Sequence, residues 1–252
     1  MRLFPRAGFC LGFNEARMAT QQSQNLLLAH LPSADFELLR PCLRTIDMPH
    51  GLVLARSGEI AKSAYFPHSG VISSIITMAD GDTVEVRMTG RDGALGATSG
   101  AAERRWFASA VVRIEGESSV IDLPDLQVAI DQSAALRAAL ARSEAIQQAI
   151  DEQSIACNAV HDVGARLARK LLRLSDTFGE TKFTVRQEAL AEMLGIRRNA
   201  LSLVAHAMKE AGIIRFSRGL VEIIDVDALQ AQSCECYAAV MAYQHACERQ
   251  SD

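Results

Sequence analysis

The chain has 252 residues, is 49% apolar and carries a formal net charge of −4, enough for one large domain or two ordinary ones, each with its own core. That charge excludes a protein that coats polyanions over its whole surface, so any nucleic-acid contact must come from a local patch. No apolar run approaches the roughly 20 residues that span a bilayer, so a cytoplasmic protein with no membrane partner is expected.

The first residues, MRLFPRAGFCLGFNEARMA, set Arg2 and Arg6 ahead of a short apolar run, but Asn14, Glu15 and Arg17 interrupt it before signal-peptide length. Residues 1–24 are read as a disordered leader, and Met18 serves as well as Met1 for a start. The six cysteines, Cys10, Cys42, Cys157, Cys234, Cys236 and Cys247, are scattered, which points to reduced thiols.

Residues 25–123 read as one domain. Asn25 to Leu43 has helical spacing broken at Pro32 and Pro41, with Ser33 or Asp35 as a cap. From Ile46 to Asp122 the pattern changes to short alternating or β-branched runs, VLAR, VISSIITM, TVEVRM, ASAVVRI and SSVIDL, separated by Gly-containing turns. Strands this short at this spacing predict a compact barrel or roll. In TVEVRM the alternation predicts Val84, Val86 and Met88 inward and Glu85 and Arg87 in water.

Residues 124–160 form a helical connector, with a short helix over 125–131 and a longer one from Ser133 past Cys157. On the longer helix Leu136, Leu140, Ser143, Gln147, Ile150, Ser154 and Cys157 follow a 4-3 spacing, with Ile146 beside them. Two readings stand open: packing on the chain's own domain, or a two-chain coiled coil whose polar seam positions fix register.

The positive charge is segregated. Between His161 and Ile224 there are eleven Lys/Arg and seven Asp/Glu, a net of +4 that leaves −8 elsewhere. Within 161–229, FTVRQEALAEMLG predicts a helix from Arg186 to Leu194 with Thr184 as candidate cap, a turn at Gly195, and a second helix from Arg197 to Ala211. The second helix buries Leu201, Val204, Ala205 and Met208, leaving Arg197, Arg198, Asn199 and Ser202 exposed at its start. Those side chains reach guanine, adenine and phosphate oxygens from a helix in the major groove. IIRFSRGLVEII reads as a hairpin with Arg215 and Arg218 where a wing meets the backbone, and Arg186 and Gln187 complete the DNA-binding set. Double-stranded DNA is the expected partner.

Residues 230–252 read as a helical tail. No metal is assigned. Cys234, Cys236, His245 and Cys247 are candidates for a Cys/His site, against the alternative that they are small apolar residues of a terminal helix. An enzyme is not expected: His68-Ser69 and His161-Asp162 are sequence neighbours that point apart, and no nucleophile elbow, Walker loop or His-Glu-x-x-His accompanies them.

Taken in order, these motifs resemble the Crp/Fnr superfamily of bacterial transcription regulators over roughly Leu26 to Leu229. Gly58-Glu59, Tyr65-Phe66 and Gly70-Val71 resemble the family's roll, HDVGARLARKLLRL the stretch ahead of its reading head, and FTVRQEALAEMLGIRRNALS its helix-turn-helix. Cys234-Glu235-Cys236-Tyr237 resembles a subgroup with no ligand assigned by motif. The resemblance implies an α+β protein with a jelly-roll-like N-terminal β-roll, a long dimerisation helix and a C-terminal winged helix-turn-helix. It implies a homodimer reading a near-palindromic site, and leaves contact with RNA polymerase open.

It also isolates departures. Members that bind cyclic AMP carry Gly-Glu for the ribose and Arg-Ser for the phosphate; here Gly96 precedes Ala97, and Ala108-Ser109 replaces Arg-Ser. Without that guanidinium the strongest phosphate contact is missing, so cyclic AMP is not expected and the cofactor is unknown. Gly90, Gly93, Gly96, Arg104, Arg105 and Ser109 mark the corresponding pocket, the Arg pair open to another anion or to solvent alone. Arg198 falls on the family's base-reading Arg, while Asn199 replaces Glu, so the half-site should differ. Only Cys10 lies near the N-terminus, which does not suit an iron–sulfur cluster of the fumarate-nitrate type. A variant reading keeps the fold without a small-molecule effector, with DNA binding constitutive or governed by thiol or metal chemistry at the C-terminal cysteines.

Overall fold

A computed structural model describes residues 24–97 and 104–249; Cys10, Met18 and nearly all of the expected leader lie outside them. Asn25 opens the ordered core. Its side chain accepts from Leu28 N to cap helix α1 (Leu26–Ala29) and donates to the carbonyls of Pro67 and Gly93, each at 2.9 Å. Helix α2 (Ser33–Leu39) has Pro32 as its N-cap, so neither Ser33 nor Asp35 caps it as expected; Asp35 instead accepts the hydroxyl of Ser133.

Seven strands follow: β1 (Arg44–Met48), β2 (Val53–Ala55), β3 (Ser63–Pro67), β4 (Val71–Thr77), β5 (Thr83–Thr89), β6 (Ser109–Ile114) and β7 (Gly116–Asp122). They pair antiparallel in two sheets, ordered β1-β7-β3 and β2-β6-β4-β5. Met48, Ile72 and Val112 fill one part of the interior; Phe66 and Ile121 meet the helices in another. The apolar pattern passes over β1 and β3: RTIDM shows little alternation because it is a mostly exposed edge strand, and SAYFP ends in a proline.

The expected facing of β5 holds for Met88, which packs against a buried core, and fails for Glu85, Val86 and Arg87. The Glu85 side chain is only 4% exposed, held by the Ser73 hydroxyl and by Lys170, and Arg87 reaches Asp151 and Glu144 at 2.7 and 3.1 Å. Val86 faces solvent instead. The reason is that helices cover the supposed water face of β5, and alternation cannot tell a helix-covered face lined by paired ions from a wet one.

Helix α3 (Leu123–Gln132) leads through the cap Ser133, which accepts from Leu136 N at 2.8 Å, into α4 (Ala134–Val160). Leu136 and Leu140, at the start of the expected inter-chain seam, are buried against the roll of their own chain, and Cys157 at its end is buried as well. Ser143, Ile146, Gln147, Ile150 and Ser154 are half-buried. The solvent-facing line of α4 is a different one: Ala138, Ala141, Ala145, Gln148, Glu152, Ile155 and Ala159 are all exposed, at 3-4 spacing.

After His161 and Asp162, helix α5 (Val163–Phe178) begins, capped by Asp162 accepting from Ala165 N. The C-terminal domain adds β8 (Lys182–Thr184), α6 (Gln187–Leu194), α7 (Arg198–Glu210), β9 (Ile214–Ser217) and β10 (Leu220–Ile223), with strand order β8-β10-β9. Helices α8 (Val226–Gln232) and α9 (Cys236–Arg249) end the described chain, α9 lying against α4. Leu190, Leu201 and Met208 close the core of this domain, each contributing about 1.5–3 kcal/mol by burial. The domain is docked on the roll: Val71 and Ile114 share that core, Arg113 of β6 pairs with Glu192 of α6 at 2.6 Å, and Gly90 lies under Thr177.

Candidate nucleic-acid interface

Gly195 ends α6 in the left-handed conformation, φ +60°, where a side chain would add strain. Ile196 then packs against the domain core, and Arg197 becomes the N-cap of α7, with no side-chain capping bond. Thr184, the expected cap of α6, sits in β8; the N-cap is Arg186. The result is a projecting tip in which Arg197, Arg198, Asn199 and Ser202 are all exposed, while Leu201, Ala205 and Met208 turn inward. Arg198 Nη1 lies 3.0 Å from Glu188 Oε1, both side chains being largely exposed, and such a pair is weak enough to exchange for a base edge.

The hairpin forms as expected. Ser217 pairs with Leu220, leaving Arg218 (φ +50°) and Gly219 (φ +83°) as the two central residues, the positive-φ combination of a type I′ turn. Arg218 is exposed at this tip, and Arg215 is exposed and paired with Glu222. Arg186 is exposed at the start of α6, and Gln187 is half-buried.

The charge segregation needs correction. Four of the eleven cations, all on α5, act inside the protein. Arg166 donates to the Leu194 carbonyl, Arg169 to Ser154 Oγ at 2.6 Å, Lys170 pairs with Glu85 at 2.7 Å, and Arg173 lies 3.6 Å from Asp92. Arg166 holds α5 to α6 within the C-terminal domain, while the other three tie that domain to the connector and the roll.

The expected effector residues separate into two groups. Gly96 lies beneath Trp106, Arg104 sits over the same ring at 5.9 Å, Arg105 donates to the Gly58 carbonyl at 2.9 Å, and Ser109 Oγ accepts from Ser57 N at 3.0 Å. Gly90 and Gly93 lie apart from these, serving contacts to Thr177 and Asn25. Ala97 is buried, and with Ala94, Leu140, Ser143 and Glu144 it lines a cavity of about 250 Å³ between roll and α4. Neither enzyme-like pair forms a dyad: His68 bonds Ser119 Oγ at 2.7 Å, Ser69 Oγ accepts from Glu117 N, and Asp162 caps α5.

The C-terminal cysteines regroup. Cys234 and Cys236 do not meet His245 and Cys247, which lie roughly 13 Å or more along α9 from Cys236 at 1.5 Å per residue. They meet Cys157 and His161, with all four ligand atoms within 4.8 Å of one another. Cys157 Sγ is 3.5 Å from Cys234 Sγ, and Cys236 Sγ is 3.6 Å from His161 Nδ1. Burial and the hydrogen bond to Cys157 push the Cys234 thiol up to about 12. The C-x-C spacing is visible in the sequence; its partners, more than 70 residues away, carry no local signal.

Residues 165–232 match the Crp-like helix-turn-helix domain. FixK2 from Bradyrhizobium japonicum has the same fold at a TM-score of 0.68 and 14% identity, covering 76% of this chain and 98% of its own. A CRP-family transcriptional regulator from Thermus thermophilus gives 0.63 and 20%, covering 75% and 96%. The c-di-GMP responsive global regulator CLP of Xanthomonas campestris gives 0.60 and 18%, covering 76% and 99%. No curated protein sequence is similar to the chain. Residues 165–232 thus belong to the Crp-like helix-turn-helix domain family, carried on a chain with the fold of the Crp/Fnr regulators.

Proposed function

We propose that the protein is a homodimeric DNA-binding transcription regulator that reads a near-palindromic site with the start of α7. The carrying observation is the exposed tip Arg197-Arg198-Asn199, with Ser202, next to a hairpin wing bearing Arg218. Two such tips, one per subunit, would enter successive major grooves about one turn apart. The subunits meet along the exposed alanine-rich line of α4, from Ala138 to Ala159, whose small side chains allow close helix approach. The buried Leu136 and Leu140 have no surface to offer a second chain.

The reading does not include cyclic AMP. Ala97 stands where a ribose-binding carboxylate is needed, and Ala108 offers no guanidinium to the phosphate. Selection from a random duplex pool followed by gel shift tests the proposal. A conserved two-fold half-site is expected; binding with no sequence preference even at low salt refutes it. Calorimetry with cyclic AMP is expected to give no heat. A second reading, control through C-terminal thiols or a metal, is favoured by the convergence of Cys157, His161, Cys234 and Cys236.

A further inference from the structure

Two segments far apart in sequence build the thiol cluster. Cys157 sits in the last turn of α4, and His161, one turn on, is that helix's C-cap residue, its N–H donating to the Cys157 carbonyl. Cys234 and Cys236 flank the start of α9. We infer that Cys157, His161, Cys234 and Cys236 form a closed tetrahedral site for a single thiolate-preferring divalent cation, zinc foremost, that clamps the tail helix to the joint between connector and DNA-binding domain.

Geometry supports a metal over a disulfide. With metal–sulfur bonds of about 2.3 Å and metal–nitrogen bonds of about 2.0–2.1 Å, the edges of a tetrahedron are about 3.5–3.8 Å long. Cys236 Sγ to His161 Nδ1, at 3.6 Å, matches a sulfur–nitrogen edge; Cys157 Sγ to Cys234 Sγ, at 3.5 Å, is slightly shorter than a sulfur–sulfur edge; and all four atoms lie within 4.8 Å of one another, so small side-chain shifts close the tetrahedron. A disulfide would need a single pair at about 2.0 Å and would leave the other two groups without a role. Three thiols and one imidazole form the soft donor set that selects zinc over magnesium or calcium.

The surroundings suit the same reading. His161 Nδ1 faces the thiols, while Nε2 lies 3.3 Å from Glu235 Oε2. A proton on Nε2, donated to that carboxylate, leaves Nδ1 with its lone pair toward the cation, the outer-sphere pattern of histidine ligands. Gln153 Nε2 donates to Cys236 Sγ at 3.1 Å, stabilising a thiolate. Binding replaces three S–H bonds with three metal–sulfur bonds and releases three protons to solvent, with no change in oxidation state. His161 and Asp162 are the residues between α4 and α5, so a cation here fixes the angle at which α5 leaves the connector. That control of the reading head rests on the proposed DNA-binding function; occupancy of the site does not.

The test uses the full chain purified with reductant and without chelator. Metal analysis is expected to give one zinc per chain, and cobalt replacement to give thiolate-to-cobalt charge-transfer bands with the intense visible absorption of a tetrahedral ion. Cys236→Ser should abolish both, while Cys247→Ser keeps them. Glu235→Gln, at a residue whose side chain is 80% exposed and so leaves the fold intact, should weaken zinc by about 10–100-fold. The site is overturned by zinc-free protein that takes up no cobalt, by cobalt spectra without thiolate bands, by a Cys157–Cys234 disulfide under reductant, or by iron–sulfur absorption. Zinc removal is expected to change operator affinity at least several-fold. Unchanged affinity with the metal demonstrably gone overturns the clamp, whereas DNA binding absent in both states refutes the regulator and leaves the site standing.

Discussion

Lys170 Nζ on α5 lies 2.7 Å from Glu85 Oε1 on β5, with only 4% of the glutamate side chain exposed. The pair joins the C-terminal domain to the roll across an interface that strand alternation alone assigns to water. Glu85→Gln keeps a partner for Ser73 but leaves the ammonium without its counter-charge. Chemical denaturation is expected to show a loss of about 1–3 kcal/mol, and adding Lys170→Met should recover part of it. Additive losses would mean the two groups do not interact.

Gly90 of the roll packs under Thr177 of α5 with no room for a side chain. A Cβ on Gly90 would fall 2.0 Å from Thr177 Cγ2, and a buried β-branched side chain cannot swing aside. Gly90→Ala should lower Tm, and Gly90→Ala with Thr177→Ser, which removes that methyl, should be more stable than Gly90→Ala alone. Differential scanning calorimetry of the set decides it.

Arg198 and Arg218 should fail differently on DNA. Arg198→Ala is expected to cost about 1–3 kcal/mol at one base position and relax specificity there, whereas Arg218→Asn should weaken all sequences alike and reduce the salt slope by about one. Asn also suits the positive φ of that turn better than Arg, so Arg218→Asn should not lower Tm. A titration of affinity against salt separates the two.

Ile155 is 72% exposed on the open line of α4. Ile155→Glu is expected to raise the dimer dissociation constant tenfold or more, about 1.4 kcal/mol, with little change in secondary structure. Leu140→Ala, inside the chain's own core, should instead cost about 2–5 kcal/mol of folding stability. Sedimentation equilibrium reads the first and denaturation the second.

Asp151 shows burial outweighing its partners. Its carboxyl is raised above the usual aspartate range by burial, with Arg87 and the Gln147 amide pulling the other way. A raised folded-state value means that the ionised form costs stability above it, and that this cost disappears as pH falls below the unfolded value. Asp151→Asn should therefore match or exceed the parent in Tm at neutral pH, the advantage fading in acid. A clear loss at neutral pH contradicts the argument.

Helix-turn-helix, hairpin and connector were legible because each is written locally: Gly195 between two amphipathic runs, Ser-Arg-Gly between two apolar ones, an unbroken helical register from Ser133. Facing was less legible. The leucines of α4 advertised a seam, but Leu136 and Leu140 answer to the roll, and the line left open mixes alanines with Gln148, Glu152 and Ile155, a pattern that carries no signal in one dimension. The cluster was half visible, since Cys-x-Cys marks itself while Cys157 read as the end of the α4 seam and His161 as the start of the next domain. What depended on which element covers which could not be read from spacing.

The inward turn of Arg166, Arg169, Lys170 and Arg173 has a consequence for search. With those four charges engaged at home, fewer cations remain to displace counterions from a duplex. On the proposed function, such a protein would hold random sequence loosely, leave it quickly, and rely on groove contacts to dwell at its operator.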